Sequence, residues 1–257
     1  MQALPFASCP MFASTRYQFH HFVSWLLAVA IILATGTGYL LMSQKARAQL
    51  TKTDVNLVLA IDCSYSVNKA EFDLQVQGIA AALTSKEVIE AIEGGEHGRI
   101  GLSVYQWSGP QNQVVVMPWT VVSSEQQARA FAARLLAEPR QTAEGVTAIG
   151  SALSFAVDHL NAAPFPTKRK VIDMQADGAS TWSRGLPIRA GRDLAVAQGI
   201  VINGLPILNE VSYLHYYFEN HVIGGEGAFI EIAKDYKSFA KAIKRKLLRE
   251  IQGQFIS

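Results

Sequence analysis

Asp62, Ser64 and Ser66 stand on alternate positions of the segment Asp62-Cys63-Ser64-Tyr65-Ser66, directly after an uncharged apolar run. One carboxylate and two hydroxyls in that spacing make half of an oxygen-only cage. Hard cations such as Mg²⁺ take oxygen ligands in near-octahedral sets at roughly 2.0–2.1 Å, and keep waters or borrow a ligand from a partner. Taken singly, the same residue types are ordinary loop residues, because Asp and Ser satisfy local backbone donors in caps and turns. Other local chemistries lack their residues: there is no CxxC pair, no HExxH run and no GxSxG elbow, so zinc held by neighbouring ligands and serine hydrolysis have no support. Gly36-Thr37-Gly38 imitates the start of a dinucleotide fingerprint, but its third glycine is missing and its context is an apolar span.

These oxygens need a scaffold. Residues 55–61, VNLVLAI, are continuously apolar and rich in β-branched types, as in a strand buried on both faces of a parallel sheet. Residues 69–83 follow with Phe72, Val76, Ile79, Ala80 and Leu83 at helical spacing. Strands are expected at 99–107 and 113–122, close enough across a Gly-Pro turn to pair as an antiparallel hairpin. Ser124 with Gln127 opens a helix to about residue 136, and Pro139 bars its continuation. Then come a helix at 148–161, strand 170–175, helix 188–198, strand 200–205, a Tyr-rich connection, strand 228–232 and helix 236–251. This alternation predicts an α/β fold: a doubly wound, mostly parallel six-stranded sheet with one antiparallel edge strand and helices on both faces. Ligands of such sheets bind at the carboxyl ends of the strands, which directs attention to the loops after residues 61, 136 and 175.

A chain of 257 residues, 49% hydrophobic and 17% charged, can bury one substantial core once a terminal segment is set aside. Its net charge of +2, with mixed signs along the chain, gives no basic face for a phosphate backbone, so nucleic acid is not an expected partner. Residues 22–42 run without a charge for the length that crosses a hydrocarbon layer of ~30 Å. Arg16 precedes this run, and Ala46-Arg47-Ala48 after it has the small-x-small form of a signal peptidase site. Residues 1–48 are therefore expected to be a signal peptide or an N-terminal membrane anchor. Either case places the folded part, residues 53–257, in the periplasm or outside the cell. It would touch a membrane only through residues 22–42, anchored in the inner membrane if uncleaved. Without that segment Cys63 has no partner for a disulfide and is expected to be a buried small apolar residue.

The loop Asp62-Cys63-Ser64-Tyr65-Ser66 resembles the DxSxS loop of the von Willebrand factor A domain. The metal-ion-dependent adhesion site of that family adds a threonine and an aspartate from two later loops. Thr147, in Glu144-Gly145-Val146-Thr147-Ala148, matches the threonine that precedes a helix, and Asp177, in Ala176-Asp177-Gly178, matches the aspartate that follows a strand. The likeness runs from about residue 54 to the C-terminus. It extends to a group of exported bacterial proteins of unknown function through Gln106-Trp107-Ser108-Gly109, Pro118-Trp119-Thr120, Asn203-Gly204-Leu205-Pro206-Ile207 and Val222-Ile223-Gly224-Gly225. The loop Gly178-Ala179-Ser180-Thr181 departs from that group, which carries asparagines after the Asp-Gly pair.

The resemblance implies that Asp62, Ser64, Ser66, Thr147 and Asp177 hold one divalent cation, Mg²⁺ foremost, with Mn²⁺ or Ca²⁺ as alternatives. In the family the hydroxyls contact the metal and the aspartates act largely through water, while an acidic group of a protein ligand takes the open position. A rim around it would comprise Tyr65, Gly145, Gly178, Ser180 and Thr181. The implied function is metal-dependent protein binding without catalysis. One alternative is a phosphotransfer hydrolase of the haloacid dehalogenase type, which expects a second Asp where Ser64 stands. Another is a domain whose metal is only structural. Trp107, Trp119 and Trp182 belong either to a rim or to the core, and the first two lie on or beside expected strands. His215 and His221 flank a Tyr-rich stretch that is either a partner surface or loop packing. The basic terminal helix is expected to bury Phe239, Ile243, Leu247 and Ile251.

Overall fold

A computed structural model describes residues 51–181 and 185–253. Five strands form its sheet: β1 (Asn56–Asp62), β2 (Ile100–Trp107), β3 (Gln113–Val122), β4 (Lys170–Ala176) and β5 (Ile200–Pro206). Their order is β3-β2-β1-β4-β5; β3 runs antiparallel to β2 and the other pairs are parallel. The helices are α1 (Lys69–Leu83), α2 (Lys86–Glu93), α3 (Glu125–Ala137), α4 (Ile149–Asn161), α5 (Ile188–Ala197), α6 (Leu214–Tyr217) and α7 (Phe239–Gln252), and a π-helical turn, Phe218–Val222, continues α6. The stretch at 1–48, with its apolar run 22–42, and Trp182 lie outside the described residues. Among the described residues no helix is long and apolar enough to cross a membrane.

All seven residues of β1 are buried because both faces of the strand are covered. Leu57, Leu59 and Ile61 pack with Val76, Phe131 and Ile243 of α1, α3 and α7; Val58 and Ala60 pack with Ile149, Leu153 and Ala195 of α4 and α5. Trp107 is part of the second core, and Trp119 stacks on His159 at 5.1 Å and donates from Nε1 to its carbonyl, so both tryptophans pack inward. The apolar face of α7 is buried as its spacing predicts.

Three features differ from expectation. Residues 228–232 do not form a sixth strand. They run beside β5, where the Gly204 amide donates to Phe229 O and the Glu231 and Ala233 amides donate to the carbonyls of Gly204 and Pro206. The remaining rung of that alternation would need an N–H at Pro206, so the ladder breaks into isolated bridges. The short helix α2 is not among the expected elements, although Val88, Ile89 and Ile92 stand at helical spacing on the face it buries. The last helix begins at Phe239 rather than 236, because Asp235 Oδ1 accepts from the Ser238 amide at 2.7 Å and holds a turn there.

One ionic cluster lies inside the first core. Lys246 of α7, fully enclosed, sits 2.8 Å from Asp173 of β4 and also bonds Glu250 one helical turn away, and Asn203 of β5 donates to Glu250 at 3.0 Å. Burial first, and then the neighbouring Asp173, pushes the Glu250 carboxyl up to about 8. The single cation is what permits two acidic groups at this depth. Lys246→Met keeps the volume but leaves the acids without a counter-charge; we expect a loss of about 3–5 kcal/mol in urea denaturation. A loss below about 1 kcal/mol would show that the cluster is solvated.

Candidate metal centre

The chain order of the sheet reverses at β1, which has β2 on one side and β4 on the other. Neighbouring strand ends at such a point leave a crevice at their carboxyl edge. Asp62 is the last residue of β1, and Asp177 follows the last residue of β4. Both carboxylates are therefore delivered to the same crevice by rigid parallel strands, and both residues have no exposed surface.

Hydrogen bonds join the residues singled out in the sequence. Asp62 Oδ1 accepts from the Ser64 amide at 2.7 Å. The Ser64 and Ser66 hydroxyls are 3.1 Å apart, and Ser66 Oγ donates to Asp177 Oδ1 at 2.6 Å. Thr147, nearly buried, precedes α4 and is fastened to the Asp177 loop: its carbonyl accepts from the Thr181 amide and Ser180 Oγ, and its amide donates to Thr181 Oγ1. Its hydroxyl lies 3.8 Å from where a Cβ on Gly178 would sit. The five residues thus occupy one crevice.

The expected rim divides. Tyr65 is 69% exposed at the loop tip. Ser180 and Thr181 instead spend their hydroxyls bracing Thr147. Gly145 accepts from the Tyr65 amide, and a Cβ there would come within 3.0 Å of Gly109 N and Ser108 Oγ, so its role is close packing of two loops. Gly178 has no such crowding.

Two further residues, marked by no motif in the sequence, support the cluster. Arg140, largely buried, donates from Nη1 to Val67 O at 2.8 Å and from Nη2 to Cys63 O at 2.6 Å, with a longer bond to Ser64 O. It ties down the carbonyls on one side of the Asp62–Ser66 loop. Tyr236, just before α7, donates its hydroxyl to Asp177 Oδ2 at 3.0 Å, so that carboxylate is held by a hydrogen bond on each oxygen. An Arg following a Pro in a loop was the only local hint of the first, and nothing nearby in sequence marks the second. The loop at 138–148 has no regular structure and is held from the end of β2 and the residue after it: Gln106 Oε1 accepts from the Gln141 and Thr142 amides, and Ser108 Oγ donates to Ala143 O.

The electrostatics are unbalanced. Asp62 Oδ2 is enclosed and has no hydrogen-bond partner. Burial first, then repulsion by Asp177, pushes the Asp62 carboxyl up to about 7. Cys63 beside it is enclosed and unpaired, and burial pushes its thiol up to about 12, which makes it inert packing. Among the described residues no three His, Cys, Asp or Glu converge as in a zinc cage. The donor set is oxygen only, hydroxyl-rich, and carries one orphaned carboxylate oxygen. Those properties fit a hard divalent cation.

A family model described as a protein of unknown function, DUF1194, matches residues 52–255. The chain belongs to this family. No curated protein matches it. Among solved structures it is similar to proximal thread matrix protein 1 of the mussel byssus, in a form with a zinc-occupied metal-ion-dependent adhesion site (TM-score 0.56, 13% identity, 79% of this chain and 49% of that one). It is also similar to a von Willebrand factor type A protein of Catenulispora acidiphila (TM-score 0.55, 17% identity, 78% and 43%). A third similar structure is the von Willebrand factor domain of the type V pili tip protein Mfa5 of Porphyromonas gingivalis (TM-score 0.55, 10% identity, 80% and 98%). The chain spans about half the length of the first of these and all but the whole of the third. The DUF1194 chain therefore has the von Willebrand factor A fold.

The raised Asp62 carboxyl sets a direction for stability. Its folded-state value lies above its ordinary 3.8, so in metal-free protein its contribution is complete below about pH 4 and is lost as pH rises through about 7. Asp62→Asn keeps the acceptor for Ser64 and removes the buried charge. Without metal, the variant should melt higher than the unaltered chain at pH 8 and about equally at pH 4, by calorimetry. A lower melting point at pH 8 would contradict this.

Proposed function

We propose that this domain binds a protein partner through a divalent cation held by Asp62, Ser64, Ser66, Thr147 and Asp177, with Mg²⁺ as the working ion. The carrying observation is the enclosed, unpartnered Asp62 Oδ2, on a carboxylate that Ser64 and Ser66 link to Asp177. Two crowded acidic groups call for a counter-charge that no hydrogen-bonded Lys or Arg supplies among the described residues, and the three hydroxyls are neutral oxygen donors beside them. When bound, the cation would act as a Lewis acid with open coordination that attracts an anionic oxygen, such as a side-chain carboxylate of a partner protein. Arg140 and Tyr236 hold the loop and the second aspartate in place before any ligand arrives. Exposed Tyr65 stands where a partner would seat.

Adhesion fits these residues better than turnover. No histidine takes part in the cluster, and the position where a haloacid dehalogenase places its acid–base Asp is Ser64, whose hydroxyl is shared with Ser66. Export to the periplasm or beyond, through residues 22–42, is the setting we propose for such a module. The zinc-bearing mussel protein and the pilus tip domain share the fold and support an adhesion role by analogy alone.

Titration calorimetry of the full chain with Mg²⁺ and Mn²⁺ should give one cation per chain. Asp62→Ala and Ser66→Ala should abolish binding, and Arg140→Gln should weaken it about 10–100-fold, as loss of a supporting residue does. Partner capture from an envelope fraction should disappear on adding chelator, and p-nitrophenyl phosphate should not be turned over. Absence of cation binding, or metal-dependent phosphate release lost in Asp62→Ala, would overturn the proposal.

A further inference from the structure

At the opposite edge of the sheet, by the amino ends of β4 and β5, lies a cavity of about 470 Å³. That volume falls within the range of small-molecule sites, roughly 300–1,000 Å³. One side is apolar, built from Val171, Val196, Val201 and Phe229, and Val196 is 40% exposed although it is aliphatic. Gly199, on the rim, has nothing within 4 Å of where a Cβ would sit, so the opening is clear there.

The polar side is built from the end of α7 and the start of β4. Arg249 lays its guanidinium 3.6 Å over the Phe229 ring and bonds Glu231 through Nη1, while its Nε–H is enclosed without an acceptor. Glu250, fully enclosed, also lines the cavity; Oε1 is taken by Lys246 and Asn203, and Oε2 has no partner. Burial first, and then Asp173, raises this carboxyl, so its free oxygen takes up a proton more readily than an ordinary glutamate. Lys168 and Lys170 add charge at the mouth; Lys168 makes no ion pair among the described residues, and Lys170 rests on the neutral Asn161. Arg169, between them, is committed to the carbonyls of Glu250 and Ile251. Two enclosed polar atoms without partners in one cavity are a free-energy liability unless a ligand or water meets them. Arg249 Nε and the two lysines are set against an aliphatic and aromatic wall, with the exposed Glu226 carboxylate also on the lining.

We propose that this cavity binds a small amphipathic carboxylate, its anionic end at Arg249 Nε, Lys168 and Lys170 and its hydrocarbon on Val196, Val201 and Phe229. The site is separate from the metal loops, which lie at the carboxyl ends of the strands. It is also independent of the adhesion reading, since none of its residues belongs to the cation cluster.

Octanoate is a suitable probe, with octylammonium and octanol as controls, titrated into the full chain and followed by calorimetry and amide NMR shifts. Octanoate should saturate at one site and shift the amides of residues 199–203 and 249–250. The two controls should bind at least tenfold more weakly. Val196→Trp, which fills the mouth from a partly exposed position, and the double variant Lys168→Glu/Lys170→Glu should each weaken octanoate at least tenfold. Neither should change the Mg²⁺ titration, which also verifies folding. Failure of octanoate to saturate, equal binding of octylammonium, or octanoate affinity unchanged in both variants would overturn the proposal.

Discussion

Two carboxyl groups brought side by side at the end of a water-poor sheet repel each other, and that repulsion organises everything at the carboxyl edge of this domain. Asp62 and Asp177 are delivered there by adjacent parallel strands, so the separation of the two acids is fixed by the sheet and not by loop mobility. The chain mitigates the conflict with hydroxyls: Ser64 and Ser66 lie between the acids, and Tyr236 reaches in from the segment before α7. It does not remove the conflict, because Asp62 Oδ2 stays enclosed without a partner and the carboxyl is pushed up to about 7. That unrelieved charge is what the proposed cation would neutralise.

The same logic runs differently deeper in the first core. There Asp173 and Glu250 also share a dry region, but Lys246 is built in beside them. One acidic pair is thus neutralised by the chain and the other is left open. The contrast separates an acidic pair whose counter-charge is built into the chain from one that has no hydrogen-bonded cation among the described residues.

Much of the scaffold could be read directly from the residues because its signals are local. An unbroken apolar β-branched run marks β1, helical spacing marks α1, and Ser124, whose hydroxyl accepts from the Gln127 amide, marks the start of α3. The sixth strand failed for a reason that no window of residues 228–232 contains, since the break is made by Pro206 on the neighbouring strand. The cluster divides in the same way. The spacing of Asp62, Ser64 and Ser66 suggests half of an oxygen cage but is a weak motif by itself, whereas Thr147 and Asp177 come into view only through family resemblance. Arg140 and Tyr236 were not legible, because their partners lie 73–77 and 59 residues away and the bonds exist only after folding.

The most direct test is a crystal of the full chain grown with Mn²⁺ and measured at the manganese edge. The account predicts one anomalous peak in the crevice between Asp62 and Asp177, within roughly 2–2.5 Å of the Ser64 and Ser66 hydroxyl oxygens. A crevice with no peak at saturating Mn²⁺, or a peak confined to some other part of the molecule, would contradict it.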